Sequence, residues 1–342
     1  MSSSIAPVLF IGGSGIVGSA AARALRRLHP HLPIAIGGRN RAKAEAVAAA
    51  IGGAVATGID LNRSDLGLPG GASAAYSAVA VFLKDETLNS MRYAQARRLP
   101  YISISSGTFE IGPEVSLFIH GPSRAPILMA SQWLAGAAVF PALHFAGAYQ
   151  AVDSFWIGVL LDEEDMGGPA AYADYERITG SSPAALMLRD GQFVWVNAKE
   201  AATRFKSVDG FEVAGQAYSP LDIVSLAAAT DAKSIRLDLA VAASASRRRG
   251  EVFSTEILIE IEGTLSSGER GRSRHEIVHP DGQAALTALG VALGVERLLG
   301  LKSGEPVPPG LYLPETLIDP GYFVGRMKEF GARFESRGGE TA

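Results

Sequence analysis

The feature that most constrains the fold is a glycine-rich turn near the start of the chain. The apolar segment Pro7–Ile11 runs directly into Gly12-Gly13-Ser14-Gly15-Ile16-Val17-Gly18, and a periodic segment, Ile16–Leu28, follows. The apolar segment predicts a buried strand, and the periodic one predicts a helix with small residues along one side. A strand, a glycine turn and a helix in this order predict the opening of a βαβ unit.

The spacing of these glycines points to a phosphate ligand. It satisfies G-x-G-x-x-G from Gly13 and G-x-x-G-x-x-G from Gly12, in the strand-to-helix context that makes the pattern informative. Glycines allow the backbone to approach a pyrophosphate, and the helix N-terminus supplies free N–H groups and the positive end of its dipole. The sequence therefore predicts a dinucleotide site whose contacts in this turn are Gly12, Gly13, Ser14, Gly15, Ile16 and Val17.

The end of the second predicted strand indicates which dinucleotide. Sites that prefer NAD usually carry an acidic residue there for the ribose 2′-hydroxyl. This chain has no acidic residue near that strand end before Glu45, and Arg39, Asn40, Arg41 and Lys43 stand there instead. A guanidinium suits a 2′-phosphate because it is planar and always charged. We expect NADP(H), contacted by Arg39, Asn40 and Lys43; the alternative is a solvated basic helix start.

Polar residues follow three further predicted strands. Asp60 ends the third strand. It either contacts the adenine of the cofactor or caps the turn that follows, and the cap is favoured. Ligands of doubly wound sheets bind outside the carboxyl ends of the strands. Lys84 and Asp85 follow the fourth strand and are candidate catalytic residues, whereas Ser105 and Ser106 follow the fifth and are expected to contact the cofactor.

The organisation of the chain predicts two domains. Strand and helix signals alternate over the first 130 residues, which is typical of a parallel, doubly wound sheet. Longer alternating strands follow residue 150, and Ser234–Ala243 and Val252–Glu262 resemble a hairpin around Arg247-Arg248-Arg249. We expect an α/β chain with a Rossmann domain at 1–130 and, at 131–304, an α+β domain with a largely antiparallel sheet. Residues 305–342 are expected to pack back on the Rossmann domain.

Composition excludes several classes of function. The 342-residue chain has no cysteine, which rules out thiol nucleophiles, disulfides and thiolate-held metals. A net charge of −4 does not indicate a nucleic-acid or membrane partner. The most apolar stretch, Leu134–Ala148, is shorter than the roughly 20 residues of a membrane span. The first residues lack the basic region of a signal peptide. We therefore expect a cytoplasmic protein with a small-molecule partner.

Two motifs invite functional interpretations that the sequence disfavours. His275-Glu276-Ile277-Val278-His279 matches the H-E-x-x-H zinc pattern, which requires a helix. Pro280 follows at once and favours a strand, in which the two histidines lie about 13 Å apart. The acidic run Asp162–Asp165 predicts a solvated loop. The alternative is that it attracts a cationic amine substrate.

The chain resembles the saccharopine dehydrogenase/reductase family. The resemblance rests on the glycine turn, the Gly37-Gly38-Arg39-Asn40 strand end, the apolar segment from Gln283 to Val295, and the Pro309–Glu315 segment. It covers the N-terminal third well and the C-terminal quarter fairly well. It implies a two-domain NAD(P)-dependent enzyme acting on a C–N bond, a last helix that returns to the Rossmann domain, and a homodimer formed through the second domain. The family's Tyr-x-Asp after the fifth strand is Tyr101-Ile102-Ser103 here, so saccharopine itself is not implied.

These observations favour reduction of an imine, or oxidation of a secondary amine, with NADP(H). Tyr172, Tyr175 and Arg177 are candidate catalytic residues that contact substrate, in a cleft expected between the domains. A surface role for each is the alternative. Two other functions stay open: a non-catalytic NADP(H)-binding regulator, and a carbonyl or enoyl reductase on the same scaffold.

Overall fold

The computed structural model describes residues 5–68, 75–165, 167–181, 184–302 and 304–341. They form two compact units. The first contains the described residues of Met1–Ser131, Gly168–Asp174 and Thr287–Ile318, and the second those of Gln132–Gly167, Tyr175–Leu286 and Asp319–Ala342. Strands and helices are numbered below in chain order.

The first unit is built on a seven-stranded parallel sheet. Its strands are β1 (Val8–Ile11), β2 (Ile34–Gly38), β3 (Ala54–Gly58), β4 (Ala78–Val81), β5 (Tyr101–Ser103), β6 (Pro126–Met129) and β15 (Gly310–Tyr312). The order β15-β6-β5-β4-β1-β2-β3 is that of a dinucleotide-binding fold, with a seventh strand added beside β6. The order reverses between β1 and β4, and ligands of such sheets bind at that switch point. The predicted Rossmann fold is confirmed.

Helices link the parallel strands of this unit. They are α1 (Ile16–Leu28), α2 (Arg41–Ile51), α3 (Asn89–Ala96) and α4 (Gly112–Ile119). Helix α1 packs through small side chains, since Ala21, Ala22 and Leu25 are fully buried. Strand β1 is buried along its whole length, as expected of a central strand covered on both faces.

The second unit is built on a mixed, mainly antiparallel sheet of nine strands. They are β7 (Tyr149–Leu161), β8 (Ala184–Arg189), β9 (Gln192–Asn197), β10 (Ala202–Lys206), β11 (Glu212–Ala217), β12 (Ser234–Val241), β13 (Thr255–Leu265), β14 (Arg270–His279) and β16 (Arg333–Thr341). Its helices are α5 (Val139–Ala146), α7 (Ala198–Ala201), α8 (Asp222–Ala229), α9 (Ala245–Arg248) and α11 (Pro320–Glu329). Two further helices, α6 (Pro169–Ser181) and α10 (Gly282–Leu298), are divided between the units, because the start of α6 and most of α10 belong to the first. Alternate residues of β13, Ile257, Ile259 and Ile261, are fully buried and supply one side of the core.

Two expectations about this region are wrong. Strands β12 and β13 do not form a hairpin, because β7 lies between them, parallel to β12 and antiparallel to β13. The arginine-rich connection contains α9 instead of a tight turn. Residues 305–342 do not all return to the Rossmann unit: β15 does, whereas α11 packs on α5 and β16 pairs with β14 in the second unit.

Hydropathy of the helices bears on the membrane question. In the part of the chain that the structure describes, no helix combines the length and the apolar character needed to cross a bilayer.

Candidate functional site

The glycine turn between β1 and α1 is packed so closely that side chains are excluded at three positions. Gly12 has φ +83°, a conformation that residues with a Cβ rarely adopt. A Cβ on Gly13 would lie 2.8 Å from the Phe10 carbonyl oxygen, and a Cβ on Gly18 would lie 2.4 Å from the Gly12 carbonyl oxygen. Gly18 therefore lets α1 pack directly against the turn, which is the role of the third glycine in a dinucleotide fingerprint.

Gly15 is less tightly enclosed than these three glycines. A Cβ there would meet only the Gly12 carbonyl oxygen, at 3.2 Å. Gly15 is the N-cap of α1 and has no side chain with which to cap it, and the first turn of the helix contains no acidic residue. The first N–H groups of α1 and the positive end of its dipole are thus available to an anion. This cradle fits the pyrophosphate of a dinucleotide.

The end of β2 lies against the same turn. A Cβ on Gly38 would lie 2.8 Å from Ser14 Oγ. Arg39 follows and is exposed. The predicted contact Asn40 is the N-cap of α2, and its side chain accepts a hydrogen bond of 3.0 Å from the Lys43 amide. Arg39 is therefore the basic residue that directly follows the part of β2 in contact with the turn.

The other basic residues of the strand end are less suited than Arg39 to bind a 2′-phosphate. Arg41 Nε lies 2.9 Å from Glu45 Oε1, in an exposed pair one helical turn long. Lys43 is exposed on the first turn of α2. Among the described residues, Arg39 forms no ion pair, so its charge is not already balanced.

Asp60 acts as a cap, the role that the sequence favoured. Its Oδ1 accepts a hydrogen bond of 3.0 Å from the Asn62 amide, and its side chain is exposed just after β3. Because the Asp60 carboxylate is exposed, its contact with an adenosine stays a prediction.

A buried polar cluster lies where β4 and β5 end. Lys84 Nζ donates a hydrogen bond of 3.1 Å to Ser106 Oγ and lies 3.6 Å from Glu110 Oε2. Ser106 Oγ in turn donates to Glu114 Oε1 over 2.6 Å, and the Ser106 amide donates to Ser131 Oγ. The Lys84 side chain is only 16% exposed. Lys84 and Ser106, predicted separately from two strand ends, are in direct contact.

The acidic members of this cluster were missed by the sequence analysis. Burial raises the pKa of the Glu114 carboxyl, and the Ser106 hydroxyl and the Lys84 charge act in the opposite direction. Glu114 is 6% exposed on α4. Glu110 precedes it by one helical turn and accepts a hydrogen bond from the Gly107 amide. Their spacing of four residues was the only signal, and it is common in helices.

Asp85, a candidate catalytic residue, has a structural role in this cluster. Its Oδ1 accepts hydrogen bonds from the Thr87 amide and hydroxyl at 3.1 and 2.6 Å, and its Oδ2 accepts from the Ser90 amide at 2.7 Å. Both oxygens are thus committed to the turn that leads into α3. The side chain is 6% exposed and fixes the loop that carries Lys84.

The three predicted substrate contacts lie on α6. Tyr172 is 47% exposed, and its amide donates to the Gly168 carbonyl. A Cβ on Gly168 would lie 3.4 Å from Ile16 Cδ1, so the start of α6 lies against the start of α1 within the first unit. Tyr175 and Arg177 belong to the second unit, where the Tyr175 ring lies 6.5 Å from that of Tyr218. Their contact with substrate stays a prediction.

The acidic loop is only partly solvated, because Glu163 and Glu164 are exposed whereas the aspartates on either side are not. Asp162 is fully buried and Asp165 is 7% exposed. Arg247 lies 3.1 Å from Asp162 and 2.5 Å from both Glu163 and Glu164. One guanidinium carries a single positive charge against three carboxylates, so the loop keeps a net negative charge, and attraction of a cationic substrate stays a prediction.

The H-E-x-x-H match lies on β14, a strand, as predicted. The His275 ring stacks on Phe145 at 3.7 Å, and burial lowers the pKa of His275 to about 4. His279 is 1% exposed. Within the described residues no group of three or more histidine, aspartate or glutamate side chains is arranged to hold a metal.

Comparison with known proteins gives a structural likeness only. No family model matches the chain, and no curated protein matches its sequence. Saccharopine dehydrogenase (L-Glu forming) of Saccharomyces cerevisiae is similar, with a TM-score of 0.62 and 13% identity over 97% of this chain and 100% of that one.

Other similar structures are more distant. An oxidoreductase from Agrobacterium radiobacter, in complex with NAD⁺, L-tartaric acid and magnesium, has a TM-score of 0.48 and 13% identity over 90% of this chain and 91% of that one. A Gfo/Idh/MocA family oxidoreductase from Vibrio cholerae has a TM-score of 0.45 and 10% identity over 89% and 91%. The chain has the two-domain fold of the yeast saccharopine dehydrogenase, which confirms at the level of the fold the resemblance found in the sequence.

Proposed function

We propose that the chain is an NADP(H)-dependent oxidoreductase that transfers hydride to or from the carbon of a C–N bond, in an opine-like imine or secondary amine. The observation that carries this proposal is the glycine turn. Gly12, Gly13 and Gly18 exclude side chains, while Gly15 leaves the α1 N-terminus open to an anion. That combination suits a pyrophosphate. A turn without a ligand would not require it.

The residues around the turn are suited to hold NADP(H). The amides of Ser14, Ile16 and Val17 would bind the pyrophosphate, since those of Gly13 and Gly15 already donate to backbone carbonyls. Ser14 Oγ lies close to the end of β2. Arg39 would bind the 2′-phosphate, because its guanidinium is exposed beside the turn and unpaired among the described residues. Ser105 and Ser106 follow β5, on the nicotinamide side of the switch point.

The bound cofactor would supply a hydride from nicotinamide C4. An imine carbon that accepts this hydride leaves an electron pair on nitrogen, which takes up one proton, so an imine, NADPH and a proton give an amine and NADP⁺. Lys84 is the proposed source of that proton, since its ammonium lies at the carboxyl end of β4 and is mostly shielded from water. Hydride and proton transfer both depend on positioning, which the loops after β4 and β5 would provide.

The substrate class is supported by the fold. The most similar structure cited above is a saccharopine dehydrogenase, whose name denotes a secondary-amine substrate. Tyr172, Tyr175 and Arg177 remain the proposed substrate contacts. Changing Tyr172 or Arg177 to alanine should lower kcat/KM and leave NADPH affinity nearly intact, because these residues would touch substrate rather than cofactor. Wild-type kinetics in both variants would return them to surface roles.

The deciding experiment is an NADPH-oxidation screen of ketone and amine pairs, with each ketone also tested alone. Turnover that requires the amine supports the proposal. Turnover on a ketone or an enoyl compound alone would identify a carbonyl or enoyl reductase, and NADPH binding without turnover would identify a regulator. Light scattering of the same preparation tests the homodimer that forms part of this proposal.

A further inference from the structure

The geometry points to Ser106 and Glu114 as positioning residues that aim the Lys84 ammonium at the substrate. This inference rests on the proposed function, in which Lys84 supplies the proton. It adds two residues that would not touch substrate and that act through a third. The contacts concerned are Lys84 Nζ to Ser106 Oγ at 3.1 Å and Ser106 Oγ to Glu114 Oε1 at 2.6 Å.

The direction of these hydrogen bonds is fixed by chemistry. An ammonium can only donate and a carboxylate can only accept, whereas a hydroxyl carries one hydrogen and two lone pairs. The Ser106 hydroxyl must therefore donate its hydrogen to Glu114 and accept a hydrogen bond from Lys84 through a lone pair. The Glu114 carboxylate thus prevents the Ser106 hydroxyl from rotating its hydrogen toward the ammonium.

Burial makes this arrangement rigid. Ser106 and Glu114 are 4% and 6% exposed. The Ser106 amide is itself held by Ser131 Oγ at 3.1 Å. On the other side, Asp85 fixes the loop of Lys84 through hydrogen bonds to Thr87 and Ser90. Both ends of the Lys84–Ser106 contact are therefore anchored, and water competes for it poorly.

Lys84 keeps donors for a ligand. The ammonium has three N–H groups, of which one binds Ser106. Glu110 Oε2 lies at 3.6 Å, close enough for charge attraction but beyond an ordinary hydrogen bond. Contacts of Lys84 with the described residues therefore leave N–H groups that a substrate nitrogen could meet.

The arrangement implies a dependence on pH. A protonated Glu114 could donate to Ser106 Oγ and compete with Lys84 for its lone pairs, so activity should fall as Glu114 gains a proton. Burial, which raises the pKa of Glu114, moves this loss toward neutral pH. The groups that act on Glu114 are Ser106, Lys84, Glu110 and Asp85, and Tyr101 is also within electrostatic range.

Kinetics with the substrate from the screen test the inference. Ser106→Ala should lower kcat at least tenfold, and Ser106→Thr, which keeps a hydroxyl, should restore most of the lost kcat. The acid limb of the wild-type kcat profile should be absent in Glu114→Gln. The control is Ser90→Ala, which loses a buried hydrogen bond of 3.1 Å between the Ser90 and Tyr101 hydroxyls but keeps the Ser90 amide that binds Asp85. Equal effects in Ser106→Ala and Ser90→Ala would overturn the inference.

A second measurement separates this inference from the proposed function. Acetic anhydride labels free lysine amines, and mass spectrometry of the full-length protein reports the rate at Lys84. Loss of the Ser106 contact should raise that rate at least threefold in Ser106→Ala and leave it unchanged in Ser90→Ala. An unchanged rate in Ser106→Ala overturns the positioning role even if the enzyme turns over. A raised rate without turnover on any substrate contradicts the proposed function alone.

Discussion

His29 Nε2 and Glu296 Oε2 lie 2.7 Å apart and join the end of α1 to α10, 267 residues later in the chain. The two side chains are 20% and 5% exposed, so the contact is largely shielded from water. His29→Ala leaves a buried carboxylate with one partner fewer and should lower the free energy of unfolding by about 1–2 kcal/mol. Exposed His31, two residues on, provides the control.

Thermal denaturation of both variants checks this prediction. His29→Ala should melt several degrees below the wild type, and His31→Ala should match the wild type. Equal melting temperatures for the two variants would show that the His29–Glu296 contact contributes nothing measurable.

This contact also illustrates what the sequence could and could not predict. The Rossmann sheet and its glycine turn were predictable because a strand, a glycine pattern and a helix are local signals. The basic residue at the end of β2, Arg39, was an equally local signal. The pairing of His29 with Glu296 and of Lys84 with Ser106 depends on how distant segments meet, and no periodicity encodes that.

The failures have the same origin. The sequence suggested a hairpin of β12 and β13 because they are consecutive long strands, yet β7 inserts between them. Asp162–Asp165 was expected to be solvated throughout, but Asp162 and Asp165 are buried, and Arg247, which pairs with Asp162, comes from a segment that is distant in sequence. In both cases the sequence suggested a local arrangement, whereas residues that are distant in the chain determine the one that forms.

Arg39 should determine cofactor preference. Arg39→Asp removes the proposed partner of the 2′-phosphate and should weaken NADPH binding by about 2–3 kcal/mol, the scale of hydrogen bonds to charged groups, while sparing NADH. Arg41→Asp makes the same change of charge at a residue already paired with Glu45, and it should have little effect on either cofactor. Fluorescence titration with both cofactors measures this. Equal affinity of the unmutated protein for NADPH and NADH would refute the assignment.

Gly18 should tolerate no side chain. In Gly18→Ala the new Cβ would lie 2.4 Å from the Gly12 carbonyl oxygen and 2.7 Å from Gly13 Cα, so α1 must move away from the turn. We expect a loss of about 1–3 kcal/mol of stability and at least tenfold weaker cofactor binding.

The matched control for Gly18→Ala is Gly325→Ala, within α11. A Cβ there meets no atom within 4 Å, and alanine is the better helix former by up to about 1 kcal/mol. Gly325→Ala should therefore be neutral or stabilising and should bind cofactor normally. Normal cofactor affinity in Gly18→Ala would contradict the role given to the turn.

The H-E-x-x-H sequence should bind no zinc. Its histidines lie on strand β14, and His275 is stacked on Phe145, so the two rings are not on one helical face as that metal site requires. Elemental analysis of purified protein should find no stoichiometric zinc, and a chelator should not reduce activity. One tightly bound zinc per chain would contradict this prediction.

Asp165 should make stability depend on pH. Burial raises the pKa of Asp165 to about 6, even though its Oδ2 accepts a hydrogen bond of 2.7 Å from the Gln283 amide. The unfolded chain releases this proton near pH 4, so the folded state alone is protonated between pH 4 and 6. The resulting stabilisation is complete below pH 4 and is lost as pH rises through 6. A shift of this size corresponds to about 3 kcal/mol.

Asp165→Asn should remove this dependence, because the amide oxygen can still accept from Gln283 and never ionises. Urea denaturation from pH 4 to 8 measures the change. Relative to the wild type, the variant should gain up to about 3 kcal/mol of stability as pH rises across this range. Asp190→Asn, which neutralises an exposed carboxylate in the same unit, should follow the wild-type profile. If Asp165→Asn and the wild type lose stability in parallel between pH 4 and 8, Asp165 is ionised throughout and its burial is fully compensated by its hydrogen bonds.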